Sequence, residues 1–176
     1  MEIPGQSSWS FDRINVIWSG HRSLDYHNEP FNDAATLGHW RQLGYTQTKF
    51  TGDMYDMRRP EPDWISDIRT HFSKWQHFSW SLYCMPPGTV LPAHKDTYAR
   101  FIKLHAVRDV NKIHRAVIFL EPWASGHYFE IAGTPVTSWQ AGDMVIWRHD
   151  TEHIAANVGT TNRYTLQITG VLSEDS

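Results

Sequence analysis

Residues 141–165 read Ala-Gly-Asp-Met-Val-Ile-Trp-Arg-His-Asp-Thr-Glu-His-Ile-Ala-Ala-Asn-Val-Gly-Thr-Thr-Asn-Arg-Tyr-Thr, and their reading decides the fold. Ala141-Gly142-Asp143 is a turn signal, and Met144–Trp147 is an apolar run of strand type. After a polar break, Glu152–Ala156 makes a second short strand, and Arg163–Val171 makes a third. The same rhythm continues toward the N-terminus. Gln76–Met85 is aromatic and strand-like, Pro86-Pro87-Gly88 is a turn, and Thr89–His94 is extended. Phe101–Val107 alternates, His114–Leu120 is a β-branched apolar run, and His127–Ile131 is short and aromatic. Strands this frequent, joined by Gly/Pro turns with no helices between them, predict a mainly β chain folded as an antiparallel barrel or sandwich.

Residues 1–75 are less regular. Arg13–Trp18 reads as a short strand. Trp64, Ile65, Ile68, Phe72 and Trp75 recur at helical spacing after Pro62 and Asp63, residues suited to a first turn, so a supporting helix is expected there. With 176 residues, the expectation is a single domain over 1–176, in which 76–172 form the β core and 1–75 its N-terminal support.

Composition narrows the function. At 40% hydrophobic and 20% charged residues the chain has the make-up of a globular protein. Sixteen Lys and Arg against nineteen Asp and Glu give a formal charge of −3, without the basic excess of a general nucleic-acid binder. The lone cysteine, Cys84, leaves no internal disulfide, which fits a reducing compartment. Met1–Gly5 lacks the basic and apolar regions of a signal peptide, and no run of eighteen apolar residues exists. A soluble cytoplasmic protein with neither nucleic-acid nor membrane partner is expected, and the sequence is silent on oligomeric state.

Eleven histidines invite a search for metal ligands, with spacing as the criterion. His94-Lys95-Asp96 puts an imidazole and a carboxylate on one face if the strand continues. His27-Asn28-Glu29 has the same form but no strand behind it. His153 opens a strand about sixty residues further on, with His149 as its rival. Two histidines and a carboxylate make a facial triad that leaves positions open on a six-coordinate iron(II). Arg163-Tyr164-Thr165 follows ten residues after His153. Its arginine fork and hydroxyl share a face and suit a carboxylate.

In this order, His94-x-Asp96, His153 and Arg163-x-Thr165 resemble the iron(II)- and 2-oxoglutarate-dependent oxygenases over roughly residues 80–171, with likeness to both the aspartyl/asparaginyl and the prolyl-hydroxylase-like members. Gly88 six residues before His94, Gly126-His127-Tyr128-Phe129-Glu130, Ala141–Trp147 and His153–Gly159 resemble further segments of that superfamily. The resemblance implies a double-stranded β-helix, or jelly-roll, with Fe(II) bound by His94, Asp96 and His153. It implies 2-oxoglutarate as cosubstrate, its C5 carboxylate on Arg163 and Thr165, and dioxygen as co-reactant. Tyr83, of the same parity as Met85, is expected to face the cosubstrate. Tyr98 and Arg100, just past the metal motif, are expected near the prime substrate. Oxidative decarboxylation of 2-oxoglutarate to succinate would be coupled to hydroxylation of an amino acid, a peptidyl side chain or a small metabolite. Asp96 favours hydroxylation, since halogenating relatives lack this carboxylate.

Departures carry information too. Nucleic-acid-demethylating members have a second Arg six residues after the first, where this chain has Thr169. Prolyl-hydroxylase-like members often have Tyr where Met85 and Leu91 stand here. Some aspartyl/asparaginyl hydroxylases share the distal His-x-x-x-Asn pattern but lack the Asp ligand. Two alternatives stay open at this level. One is a cupin-like mononuclear metal enzyme working without 2-oxoglutarate, which leaves Arg163 and Thr165 without a task. The other is a non-catalytic β-barrel that binds a ligand. Lys103 and His105 are expected on a strand, facing either the barrel interior or water. Trp123, Trp139 and Trp147 are expected in the core or at its rim, and Asn157 at a turn.

Overall fold

The computed structural model describes residues 8–172; the N-terminal Met1–Gly5 segment lies outside the described residues. The strands are β1 (Trp9–Arg13), β2 (His27–Asn28), β3 (Asp53–Asp56), β4 (Trp75–Met85), β5 (Thr89–His94), β6 (Ile113–Phe119), β7 (His127–Ile131), β8 (Thr134–Val136), β9 (Asp143–Arg148), β10 (His153–Asn157) and β11 (Arg163–Leu172). The α-helices are α1 (Ala34–Gln42), α2 (Ile65–His71) and α3 (Ala99–His105). One sheet runs β1-β9-β6-β11-β4-β3-β2 and the other β5-β10-β7-β8, every pairing antiparallel. Few neighbours in either sheet are consecutive in sequence, and the chain crosses repeatedly between the two. This is the double-stranded β-helix.

Strand parity explains how one sheet serves two interiors. Successive residues point to opposite faces. On β6, Ala116 and Ile118 join the cluster under α2, whereas Val117 and Phe119 join the cluster between the sheets. On β11, Tyr164, Leu166 and Ile168 face α2, and Arg163, Thr165 and Gln167 line the internal cavity. Both faces of the large sheet are thus covered, which is why Ala116–Phe119 of β6 and Met144–Trp147 of β9 read as continuous apolar runs. Each fully buried Leu or Ile contributes roughly 1.5–3 kcal/mol, and Ile65, Ile68, Leu82, Ile118 and Leu166 are all at 0% exposure.

Two turns depend on glycine. Gly126 has φ +89°, and a Cβ there would lie 2.2 Å from the Gly159 nitrogen, so only glycine lets the chain before β7 touch the chain after β10. Gly142, at φ +93°, would place a Cβ 2.5 Å from the Ile14 carbonyl oxygen, the point where the segment after β1 is tied to the turn before β9.

Three expectations change. The strand expected at Arg13–Trp18 is β1, Trp9–Arg13, which pairs with β9 in the register Trp9 to Trp147 and Arg13 to Asp143. The helix expected over 61–75 is regular only for Ile65–His71. At its end the Phe72 amide is shared between the Ile68 and Arg69 carbonyls, so the last turn tightens and Trp75 starts β4. Phe101–Val107 is no strand. It overlaps α3, which starts after Tyr98 (φ 52°) and ends at Ala106 (φ 49°), both left-handed. A short apolar run does not separate the two periods, and Phe101 and Leu104 also sit at helical spacing. Lys103 and His105 therefore lie on a surface helix and do not face the barrel interior. Trp139 and Trp147 are buried in the core, Trp123 is at its rim, and β8 had no signal that marked it.

Candidate metal centre

His94 ends β5 and His153 begins β10, and the two are direct partners across the strand pair. A register shift between His153 and Ala155 marks a bulge there, the kind of irregularity that re-aims a side chain. The rings lie 4.2 Å apart between centroids. Asp96, just beyond β5, sets Oδ1 3.6 Å from His94 Nε2 and Oδ2 3.9 Å from His153 Nε2. One ligand atom from each of the three lies within 4.8 Å of the others.

The donor set fits a metal ion in more than spacing. His94 Nδ1 is 2.9 Å from the Pro92 carbonyl oxygen, and His153 Nδ1 is 3.2 Å from that of Thr151. A carbonyl only accepts, so both Nδ1 atoms carry the proton and both Nε2 lone pairs face Asp96. Burial presses the His153 pKa down to about 4, which keeps that imidazole neutral. Burial also acts to raise the pKa of Asp96, but the Arg115 guanidinium and both histidines outweigh it and hold the carboxyl well below its usual range. Packing fixes the rings. Phe31 and Trp40 meet His94 edge-on at 5.6 and 5.7 Å, and Trp147 lies 5.0 Å from His153. Trp40, on α1, donates its indole N–H to the Ala93 carbonyl at 3.0 Å, so the N-terminal part of the chain steadies β5.

The three side chains line an inner cavity of about 140 Å³ together with Tyr83, Arg163 and Thr165. Arg163 is the unusual member. It is 6% exposed, it donates from Nη1 to the Tyr128 carbonyl, and its Nε has no partner. No carboxylate pairs with it among the described residues, and burial pulls its pKa down to about 10. A buried cation without a counter-charge is costly, and an anion in the cavity would repay that cost. Burial pushes the Tyr83 hydroxyl up to about 12, so it offers a neutral O–H.

Four lining residues, Phe31, Tyr83, Asp96 and Arg115, are shared with an outer chamber of about 420 Å³ between β3, β4 and α3. Tyr98 and Arg100 line this chamber. The rival ligands lie elsewhere. His27 and Glu29 share the Arg58 guanidinium, and His149 is absent from the three-residue cluster. Asn157, fully buried, donates to the Met85 and Thr161 carbonyls and accepts from the Gly159 amide.

Sequence reasoning missed Arg115. Its Nη2 lies 3.2 Å from Asp96 Oδ2, its Nη1 donates to Gln167, and its Nε reaches the Tyr98 hydroxyl at 3.4 Å. A signal was present. Arg115 has the parity of the inward-facing Val117 and Phe119, and a charge at an inward position of an apolar strand needs a partner inside.

The sequence matches the family model described as aspartyl/asparaginyl beta-hydroxylase over residues 23–171. The chain belongs to the aspartyl/asparaginyl beta-hydroxylase family. Solved structures of similar fold include a Pseudomonas putida prolyl-4-hydroxylase, at 15% identity over 94% of this chain and 93% of that one, with a TM-score of 0.56. They also include SnoK, a non-heme alpha-ketoglutarate-dependent carbocyclase of nogalamycin biosynthesis, at 12% identity over 93% of this chain and 79% of that one, with a TM-score of 0.58. SnoN, the corresponding epimerase, matches at 12% identity over 93% and 78%, with a TM-score of 0.55. No curated protein matches the sequence. At these identities the three structures speak for the fold alone, a double-stranded β-helix. Membership of the family makes the chain an enzyme of hydroxylase type. Among the described residues no helix is long and apolar enough to cross a membrane.

Proposed function

We propose that this hydroxylase-family chain is an Fe(II)- and 2-oxoglutarate-dependent dioxygenase that hydroxylates an organic substrate and forms succinate. The observation that carries this reading is Arg163, a buried guanidinium without a counter-charge in the cavity that His94, Asp96 and His153 also line. A cupin-like enzyme without 2-oxoglutarate leaves that charge unanswered.

His94, Asp96 and His153 would hold the iron, and 2-oxoglutarate would supply the electrons with which dioxygen is activated there. The chain's own residues do the positioning. The Nδ1–H groups of the two histidines, anchored on carbonyls, keep both Nε2 lone pairs turned to the same point. Arg115 holds one oxygen of Asp96 and so leaves the other as the directed donor. Arg163 offers a charge-assisted fork to the distal carboxylate of 2-oxoglutarate, and Thr165 and Tyr83 supply hydroxyls on the same wall. Phe129, Val117, Leu91 and Trp147 keep water from the rest of the cavity. Tyr98 and Arg100 belong to the substrate side, and a reducing compartment suits both ferrous iron and the free Cys84 thiol.

The test is anaerobic addition of 2-oxoglutarate to the Fe(II)-loaded protein. A weak visible charge-transfer band is expected, followed by succinate formation once air is admitted. Intact metal binding with neither band nor succinate would rule the cosubstrate out.

A further inference from the structure

Four acids and four bases line the outer chamber, but their partners are unequally distributed. Glu29 and Asp56 both pair with Arg58, at 2.8 and 2.9 Å. Asp33 caps α1, accepting from the Thr36 amide at 2.7 Å, and Asp96 is held by Arg115. Every acid is therefore engaged. Of the bases, Arg58 and Arg115 are engaged with those acids. Lys95 and Arg100 are exposed and form no ion pair or hydrogen bond among the described residues. Both line the chamber, Lys95 standing between His94 and Asp96 in the chain and Arg100 on the first turn of α3. The lining of the chamber also carries an apolar lip. Met57, just beyond β3, is 51% exposed and Leu104, on α3, is 70% exposed, with Phe101 one turn before Leu104. No residue of α3 is buried; Phe101 is half-buried and Leu104 is the exposed large apolar side chain of the helix.

We infer that the chamber takes a small organic acid, its carboxylate held by Lys95 and Arg100 and its apolar body laid between Met57, Phe101 and Leu104. The inference rests on the oxygenase reading and deepens it by naming the substrate class. The lining charges balance, but the donors left without a partner are those of Lys95 and Arg100, whereas every acid is already accepting, which favours an anion over an amine. One lysine and one arginine, set among engaged acids, suit a single negative charge. The exposed lip favours an aromatic or alkyl body over a purely polar one. Such a molecule would sit in the chamber that shares Asp96 and Tyr83 with the inner cavity.

The experiment is calorimetric titration of the full chain, loaded with redox-inert Zn(II) and saturated with 2-oxoglutarate. The probes are 4-phenylbutyrate, 4-phenylbutyramide, 4-phenylbutylamine and butyrate. The phenylbutyrate is expected to bind at least tenfold more tightly than each of the other three. Lys95→Gln with Arg100→Gln should reduce that preference over the amide to less than threefold. Leu104→Asn should weaken phenylbutyrate but not butyrate. Equal binding of the amide or amine, a preference that survives the double substitution, or displacement of 2-oxoglutarate by the probe would overturn the inference. The 2-oxoglutarate titration on the same samples separates the two readings. If 2-oxoglutarate does not bind while phenylbutyrate keeps a preference that depends on Lys95 and Arg100, the cosubstrate reading fails and the chamber's selectivity is upheld.

Discussion

Replacing Arg163 by Met should abolish cosubstrate binding without weakening the ligand-free fold. Most buried-residue substitutions destabilise a protein, so the two effects together are diagnostic. Burial lowers the Arg163 pKa from 12.5 to about 10. At roughly 1.4 kcal/mol per pH unit, keeping the buried charge costs on the order of 3 kcal/mol. Its hydrogen bond to the Tyr128 carbonyl returns about 1.5–3 kcal/mol. Arg163→Met removes both and fills similar space, so the ligand-free variant should be as stable as the parent or up to about 2 kcal/mol more stable. Cosubstrate binding responds in the opposite direction. Losing one partner of a buried charge pair costs about 3–5 kcal/mol, or roughly two to nearly four orders of magnitude in affinity. Thermal unfolding reads both effects. At a hundredfold excess over its Kd, 2-oxoglutarate stabilises the parent by about 2.7 kcal/mol, a rise in Tm of roughly 5–10 °C for a chain this long. The variant should show no rise. A variant more than about 2 kcal/mol less stable than the parent, or one that keeps the ligand-induced shift, would refute the assignment of Arg163 as a cation awaiting an anion.

Arg115→Leu should free Asp96 to turn away from the two histidines, weakening metal affinity by roughly 10–100-fold, as read by Fe(II) titration of succinate formation; excess Fe(II) should restore much of the rate. Trp40→Ala removes a fully buried indole that packs on His94 and bonds the Ala93 carbonyl; a loss of about 3–5 kcal/mol in urea unfolding is expected, together with weaker metal binding. Arg58→Ala should raise the midpoint of acid unfolding. Burial acts to raise the Asp56 pKa, but the Arg58 bonds win and lower it, so the pair's contribution is full above the unfolded value near 3.9 and disappears as pH falls through the depressed folded value. Arg58 is 44% exposed, so the expected loss at neutral pH is only about 1 kcal/mol.

What the sequence made legible follows from period and spacing. β5, β7, β10 and β11 carry alternation between clear turns, and the His94-x-Asp96 and Arg163-x-Thr165 pairs are local patterns that survive without knowledge of the fold. The β3–β2 edge was poorly legible because β2 and β3 are two and four residues long and gain their order from β4. α3 was misread because the same apolar residues satisfy two periods, and only its left-handed flanks and the chamber beneath it select the helix. Arg115 was missed for another reason: its partner Asp96 is nineteen positions away across an unmarked helix, and no local window holds both.

The pairing of β1 with β9 has a consequence for how the molecule is made. Trp9 leaves the ribosome long before its neighbour Trp147 is synthesised. At roughly 5–20 residues per second, the opening strand waits on the order of ten seconds with its amides and carbonyls unsatisfied. During that wait β2, β3 and β4 can already pair, whereas the large sheet stays split until β11, the strand between β4 and β6, is made after β9. A nascent chain stalled before residue 143 should therefore keep Trp9–Arg13 open to a protease or a chaperone.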